Sequence, residues 1–494
     1  MELEPKLITA NSSSNYDRIS PDHKQYLVNK HKTWKLDPLP TENDDDPLNW
    51  SNRYKNIELI MVAFHGFFST FMASGQVPAF EPLAEQLEKS IKDTSYLTSS
   101  QIIILGWMPW IWLPLMNRYG RHQLLMISCL GSMVFNLISV FCTSYTSLMI
   151  MRCLVAIFIA PGIAVGGAIV GETTFAHQRA SRNGIWTLLV TIGTIAGPIF
   201  MGLVIERVAT KFIFVIFTVT NFIQFICYLF FGKETLYNYK DLSKNNKKIW
   251  NFSPIIPENT ISLKVILKPG KLLFNWKIVL IAIAYGVVFT YANIATNVDL
   301  PVIFVHKFDM GPQAIGLQFI AFLIGMVLGE QVGGWISDRW MTRARNNYKG
   351  PQYRLWLAYP GFITSIIGLI VFGLQVENLQ QYNITPLIGL VISSFGLQLI
   401  TTTLISYGID ITSKPSDVAL FMTAIRQSFA FSGPFYFPPM FDTLGYAGTF
   451  GLLAGLIAGF GWIPILCIHW LCNRKDNKIL QPAPVKVVDS DGMK

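Results

Sequence analysis

Residues 184–202 read GIWTLLVTIGTIAGPIFMG. The stretch lies in an apolar run long enough to cross a bilayer, which takes about 20 residues of helix. Glycine recurs on a fixed spacing: Gly184, eight residues, Gly193, three residues, Gly197-Pro198, then Gly202. Gly193 and Gly197 are four apart and share one helix face, so a neighbouring backbone can approach closely there. Pro198 removes one backbone donor and predicts a bend. Small-x3-small pairs are common in membrane helices, and one alone predicts only helix packing. The stretch is the fifth of twelve apolar runs.

The other runs fall near 57–80, 98–117, 122–142, 147–170 and 212–231, then near 279–299, 315–336, 355–374, 386–407, 418–440 and 446–472. Six runs, a polar segment and six more predict an all-α polytopic membrane protein. Its twelve transmembrane helices would form two six-helix halves. The expected division is a flexible cytosolic tail over 1–55, a first half over 56–231, a basic cytosolic loop over 232–277, a second half over 278–472 and a tail over 473–494. Of the 494 residues, 51% are hydrophobic and 14% charged, against about 25% charged in soluble domains.

A net charge of +9 raises nucleic acid as a partner, but the basic residues do not gather in one patch. They alternate from loop to loop, as membrane orientation requires. Arg118 and Arg121 follow run 2, Arg179 and Arg182 run 4, Arg339, Arg343, Arg345, Lys349 and Arg354 run 8, and Arg474, Lys475 and Lys478 run 12. The 232–277 segment holds nine Lys against three acids. The intervening loops carry fewer basic residues, and the fifth has Glu377 alone. Both termini are therefore expected in the cytosol. The six cysteines lie in or beside apolar runs without a CxxC or Cys/His cluster, so neither disulfide framework nor metal site is expected. No signal-peptide pattern precedes the first run, which should itself serve as targeting signal. No phosphate-binding loop is present, which argues against ATP-driven transport. No nucleophile–base constellation suggests an enzyme, and no cofactor is expected.

The glycine spacing resembles the fifth-helix antiporter motif of the major facilitator superfamily, G-x8-G-x3-G-P-x2-G-G, with Met201 in the penultimate place. LPLMNRYGRH (113–122) resembles that family's loop motif G-x-L-A-D-R-x-G-R-R. Arg118, Gly120 and Arg121 match, whereas Asn117 stands for the usual Asp. GWISDR, with Gly334, Asp338 and Arg339, echoes it after run 8. The resemblance implies a charged cytosolic latch, although Asn117 cannot be an anionic one. The plainer reading is positive-inside anchoring. DPLNW (46–50), GETTFAHQRASRNGIW (171–186), KETLY (233–237) and GPQAIGLQFIAFLIGMVLGE (311–330) resemble the fungal 12-span drug:proton antiporter branch, nearest to histidinol- and polyamine-transporter-like members. That resemblance, covering roughly 46–472, implies proton coupling and a plasma-membrane address. It also implies a substrate bound between the halves near the midplane.

Ionisable residues inside spans are costly and face a cavity or a partner. His65 lies in run 1, where it serves packing, substrate contact or proton transfer. Arg152, near the start of run 4, occupies the place of the family's helix-4 arginine, which the resemblance ties to proton transfer. The other reading is snorkelling to the interface. Glu330 is the leading candidate. It lies roughly 12 Å deeper than Asp338 at 1.5 Å rise per residue. There it could carry a proton, hold a cationic substrate or bond another helix beside the Gly325, Gly329, Gly333 stripe. Arg426 in run 11 is a second buried cation, expected to pair with an acid from another span. Asn293 and Asn297 share a face of run 7, with Tyr291 the nearest aromatic, and either bind substrate or join helices. Trp107, Trp110 and Trp112 line a cavity or meet lipid. The Asn383-Ile-Thr385 sequon sits very near run 10, which argues against its use.

The expected function is a monomeric, proton-coupled secondary transporter of a small organic solute, a drug or a cationic amine such as a polyamine, working by alternating access. The alternatives are an uncoupled facilitator of a nutrient and a non-transporting membrane sensor that uses the 232–277 loop for a cytosolic partner.

Overall fold

The structure is a computed structural model and describes residues 19–242, 245, 253–346, 351–412 and 415–479. Among them, ten helical stretches are long and apolar enough to cross a bilayer. Ile91–Trp107 and Pro109–Tyr119 do so jointly, bent by 44°. One of the ten, Pro415–Leu471, has 57 residues, about 85 Å of helix at 1.5 Å per residue. That exceeds any single crossing, and the chain breaks it at Gly445 with φ 67° and ψ 177°, a conformation open chiefly to glycine. Glu377, at the end of the helix Ala358–Asn378, accepts the N–H of Tyr446 at 2.7 Å just beyond the break. The count is therefore twelve spans, as the apolar runs predict.

Spans 1 to 6 are Asn52–Ser74, the bent pair, His122–Ser139, the broken helix Tyr145–Thr173, Ala176–Ile205 and Lys211–Phe231. Span 7 starts at Trp276–Phe289 and passes through a π-helical turn, Thr290–Ile294, into Ala295–Asn297. Spans 8 to 10 are Pro312–Asn346, Ala358–Asn378 and Thr385–Asp410, and the Pro415 helix supplies spans 11 and 12. Pro198 lies inside span 5, which stays one continuous helix.

Spans 1 and 7 end alike. Gln76-Val77-Pro78 leads into the short helix Phe80–Leu87, and Asp299-Leu300-Pro301 opens the short helix Leu300–Phe308. Both helices stop at an acidic residue in the left-handed region, Glu88 at φ 51° and Asp309 at φ 50°. This is an internal repeat in backbone as well as in sequence.

Two compact units form. The first takes the chain up to Gln76, then Trp107–Gly197 and Val208–Ile266. Gly193 and Gly197 of span 5 lie against span 1: a Cβ at Gly197 would come within 2.6 Å of Phe71 O and 2.7 Å of Ser74 Oγ. Thr70 Oγ1 donates to Val190 O at 2.8 Å in the same seam. The second unit takes Val77–Gly106, Pro198–Arg207 and the chain from Leu267. In it Gly202 meets Gly316 of span 8, where a Cβ would sit 3.1 Å from the facing Cα. Tyr96 stacks on Phe435 of span 11 at 4.5 Å. Gly106 packs on Gln427. These contacts explain why the outer parts of spans 2 and 5 join the second unit.

The expectation of a flexible tail over 1–55 needs correction for its described part. Pro21–His31 is a helix capped by Ser20, whose hydroxyl accepts the N–H of His23. Leu27, Leu36 and Leu48 bury themselves in a cluster with Phe175. DPLNW is a folded turn rather than a linker. Asp46 is fully buried and accepts from Thr41 N (2.9 Å), Thr41 Oγ1 (3.0 Å) and Leu48 N (3.0 Å). Leu27, Leu36 and Leu48, with Tyr26, Trp34 and Leu39 packed beside them, hold the segment because Phe175 supplies the surface that they cover.

Candidate proton and substrate sites in the two units

In the second unit, Glu330 of span 8 faces span 10. Gln398 Nε2 donates to its Oε2 at 2.5 Å and Thr402 Oγ1 at 2.9 Å. The glycine stripe makes this approach possible: a Cβ at Gly329 would sit 2.6 Å from Phe395 O. The helix-joining bond considered for Glu330 is thus present. Both donors reach one oxygen, and Oε1 takes neither of them.

Among the described residues Arg426 meets no acid. Its Nη1 donates to Tyr285 OH at 2.8 Å, and its guanidinium stacks on Phe289 with 4.3 Å to the ring centroid. Cation–π contact and a neutral acceptor replace the expected ion pair. Tyr285 interacts electrostatically with both Arg426 and Glu330, so these residues of spans 7, 8, 10 and 11 make one polar cluster. Asn297 Nδ2 donates to Asn293 Oδ1 at 3.3 Å, so the two amides do share a face. Tyr291 turns instead to Phe437, with ring centroids 6.2 Å apart.

In the first unit, His65 is fully buried. Its Nδ1 meets Tyr228 OH and its Nε2 meets Ser128 Oγ, each at 3.3 Å. Both ring nitrogens are occupied, the arrangement that packing calls for. Arg152 does not snorkel. It is fully buried, its Nη2 donates to Asn136 Oδ1 at 2.8 Å and to Ser139 Oγ at 2.7 Å, and its guanidinium lies 4.6 Å from the Phe214 ring centroid. Of the tryptophans, Trp112 donates to Ile157 O at 2.8 Å, whereas Trp107 is exposed.

The loop after span 2 replaces the missing aspartate with two glutamates that the motif did not mark. Glu172, from the end of span 4, accepts Arg121 Nε at 2.9 Å and Nη2 at 2.5 Å, while Asn117 Oδ1 accepts the same Nη2 at 3.0 Å. Glu234, of KETLY, accepts the backbone N–H of Arg121 (2.8 Å), His122 (3.1 Å) and Leu236 (2.9 Å). Burial pushes its carboxyl up to about 6 in spite of these three donors and the Arg121 charge. Gly120 sits at φ 111° against the Glu234 carboxylate, leaving no room for a Cβ. Arg118 O accepts Ile255 N at 2.9 Å, and Arg118 Nη1 donates to Asn259 O at 3.0 Å, so part of the central loop is pinned here.

The second copy of the motif is built differently. Arg339 stacks on Trp335 of its own helix, with 3.7 Å to the centroid. Asp338 lies on span 8 with its side chain outside the described residues. Arg354 bridges Ser337 Oγ (2.6 Å) and Asp410 Oδ2 (3.0 Å) instead. Among the antiporter-motif glycines, Gly184 faces open space, with nothing within 4 Å of a Cβ. Among the described residues no group of three His, Cys, Asp or Glu could hold a metal. Sequence reasoning missed Glu58, which accepts Lys233 N at 2.5 Å, and Asp299, buried on span 7. Both are acids inside predicted runs, and that was the available signal.

Twelve spans with a repeated turn and a motif-bearing loop define a polytopic carrier fold, and the comparisons agree. The family model "Major Facilitator Superfamily" matches residues 62–438. The chain belongs to the major facilitator superfamily and is a multi-pass membrane transporter. It is 25% identical to an uncharacterised transporter of Schizosaccharomyces pombe, over 86% of this chain and 89% of that one. It is 26% identical to the efflux pump radE of Floropilus chiversii (89% and 86%) and 25% identical to the probable efflux pump mfs2 of Aspergillus flavus (80% and 96%). The Escherichia coli xylose transporter XylE shares the fold at a TM-score of 0.63 and 12% identity, covering 83% of this chain and 98% of that one. These relatives place it with fungal efflux-type members of the superfamily.

Proposed function

We propose that this transporter exports a small organic compound, a drug or cationic amine, in exchange for protons, with Glu330 taking up and releasing the proton. The observation that carries this reading is the Glu330 cluster. A carboxylate deep in a membrane helix is retained at a cost, and here two neutral donors hold one oxygen while Oε1 takes neither. Protonation of Oε1 removes the charge without breaking the bonds to Gln398 and Thr402. Tyr285 then links the change to Arg426, whose hydroxyl partner feels both charges. The printed names of two relatives as efflux pumps support the outward direction. We place the protein in the plasma membrane as a monomer with both termini cytosolic, in keeping with the alternation of basic loops.

The test is proton movement in proteoliposomes of purified protein, challenged with polyamines, histidinol and cationic drugs. A solute-dependent pH change of opposite sense to solute flux supports the exchange. Solute flux without a proton signal overturns the coupling and leaves a facilitator.

A further inference from the structure

Asp299 follows span 7, in the turn that repeats the end of span 1. It is fully buried. It occupies the N-cap position of Leu300–Phe308 but makes no capping bond, although aspartate is among the preferred caps. Neither carboxylate oxygen has a hydrogen-bond partner among the described residues. Asp46, equally buried, takes three donors, two of them backbone N–H groups.

No donor among the described residues bonds to Asp299. Asn297 Oδ1, two residues before it, is also buried without a partner. Span 11, which packs against this part of span 7, carries Asp417, Arg426, Tyr436, Asp442 and Tyr446, and span 8, which packs against the Leu300 helix, carries Glu330, Asp338 and Arg339. Tyr291 lies on span 7 itself, Glu81 and Glu85 lie on Phe80–Leu87, and His306 and Lys307 end the Leu300 helix. Of these, Tyr436 interacts electrostatically with Asp299, Glu81 interacts with Glu85, Asp309 and His306, and Lys307 donates to Glu377 O at 2.8 Å. No cation meets the carboxylate among the described residues. A buried charge without partner or donor is the costliest arrangement a protein interior offers. One proton ends it: an O–H bond forms on the carboxylate, the charge disappears, no electrons move, and the side chain gains a donor of its own. The repeat agrees, since Gln76 puts a neutral amide at the corresponding place.

We propose that Asp299 is a second proton-binding site of this transporter, distinct from Glu330 and carrying its proton in the conformation described. Its occupancy stands independently, whereas its use in transport rests on the proton coupling proposed above. The experiment is infrared spectroscopy of the purified full chain in lipid vesicles at neutral pH, with side-chain 13C-aspartate. The expected result is a protonated-carboxyl band that shifts with the aspartate label, persists in Glu330→Gln and is lost in Asp299→Asn. Asparagine matches the neutral acid in shape, so Asp299→Asn should melt close to wild type. In transport, Asp299→Asn should lower the proton-to-solute ratio, whereas Glu330→Gln abolishes proton movement. Absence of an aspartate-sensitive band in the wild-type protein overturns the proposal, and that measurement needs no variant. A band that survives Asp299→Asn overturns it equally. If wild-type protein moves solute without protons, the coupling fails while the band still decides whether Asp299 holds a proton.

Discussion

Replacing Gly197 and Gly184 by alanine separates two kinds of glycine within one motif. At Gly197 the new methyl would lie 2.6 Å from Phe71 O, 2.7 Å from Ser74 Oγ and 2.9 Å from Gly75 N. Two of these three atoms are backbone and cannot rotate away. The third, Ser74 Oγ, is tied to Thr70 O at 3.0 Å. Span 1 or span 5 must therefore move, an overpacking cost of about 1–3 kcal/mol. At Gly184 nothing lies within 4 Å, and only the gain of alanine over glycine in a helix remains, about 0.5–1 kcal/mol. Both variants share that gain, so the overpacking term is the difference between them. Thermal unfolding of the two proteins in one detergent should differ by a few degrees, with Gly197→Ala the lower. Equal melting temperatures, or a lower one for Gly184→Ala, would refute the packing argument. Transport should follow stability, with Gly184→Ala near wild type.

Other expectations concern the polar loops and the N-terminal segment of the first unit. Glu172→Ala should cost about 3 kcal/mol, because it strands the buried Arg121 guanidinium. Asn117→Asp in that background should recover part of the loss in a melting assay. For Glu234 the folded carboxyl titrates at about 6 against 4.5 in the unfolded chain. The folded state binds more protons between these values, so the stability contribution is full below about 4.5 and is lost as pH rises through about 6. The effect is on the order of 1–2 kcal/mol. Glu234→Gln should flatten the pH profile of the melting temperature in this window, and an unchanged slope would exclude the residue as its source. Leu27→Ala removes a fully buried side chain from the cluster over Phe175. It should cost about 2–5 kcal/mol locally, seen as faster proteolysis of the N-terminal segment; unchanged protection would show that the helix is held by other contacts.

Much of the fold could be read from periodicity and length, because a bilayer demands long apolar helices whatever their neighbours are. The run boundaries fell within a few residues of most spans. What the sequence concealed depends on partners distant in the chain. Leu27, Leu36 and Leu48 look like scattered apolar residues until Phe175 collects them. Asn117 reads as a broken latch until Glu172 and Glu234 arrive from the ends of spans 4 and 6. Arg426 was expected to find an acid, but an aromatic face and a tyrosine hydroxyl serve it instead. The candidate site was legible as a set of costly residues, not as an arrangement. Glu330 stood out by charge alone, but Gln398, Thr402 and Tyr285 are unremarkable in their own helices. Asp299 stands in an apolar run, but its burial without a hydrogen-bond partner shows only in the folded chain.

Proton coupling through Glu330 is tested most directly by comparing wild-type protein with Glu330→Gln in one proteoliposome preparation. Exchange of labelled solute at equal pH and solute accumulation driven by a pH gradient are measured side by side. The account predicts that Glu330→Gln keeps the exchange and loses the gradient-driven accumulation. A variant that still accumulates solute against its gradient when only pH differs would contradict it.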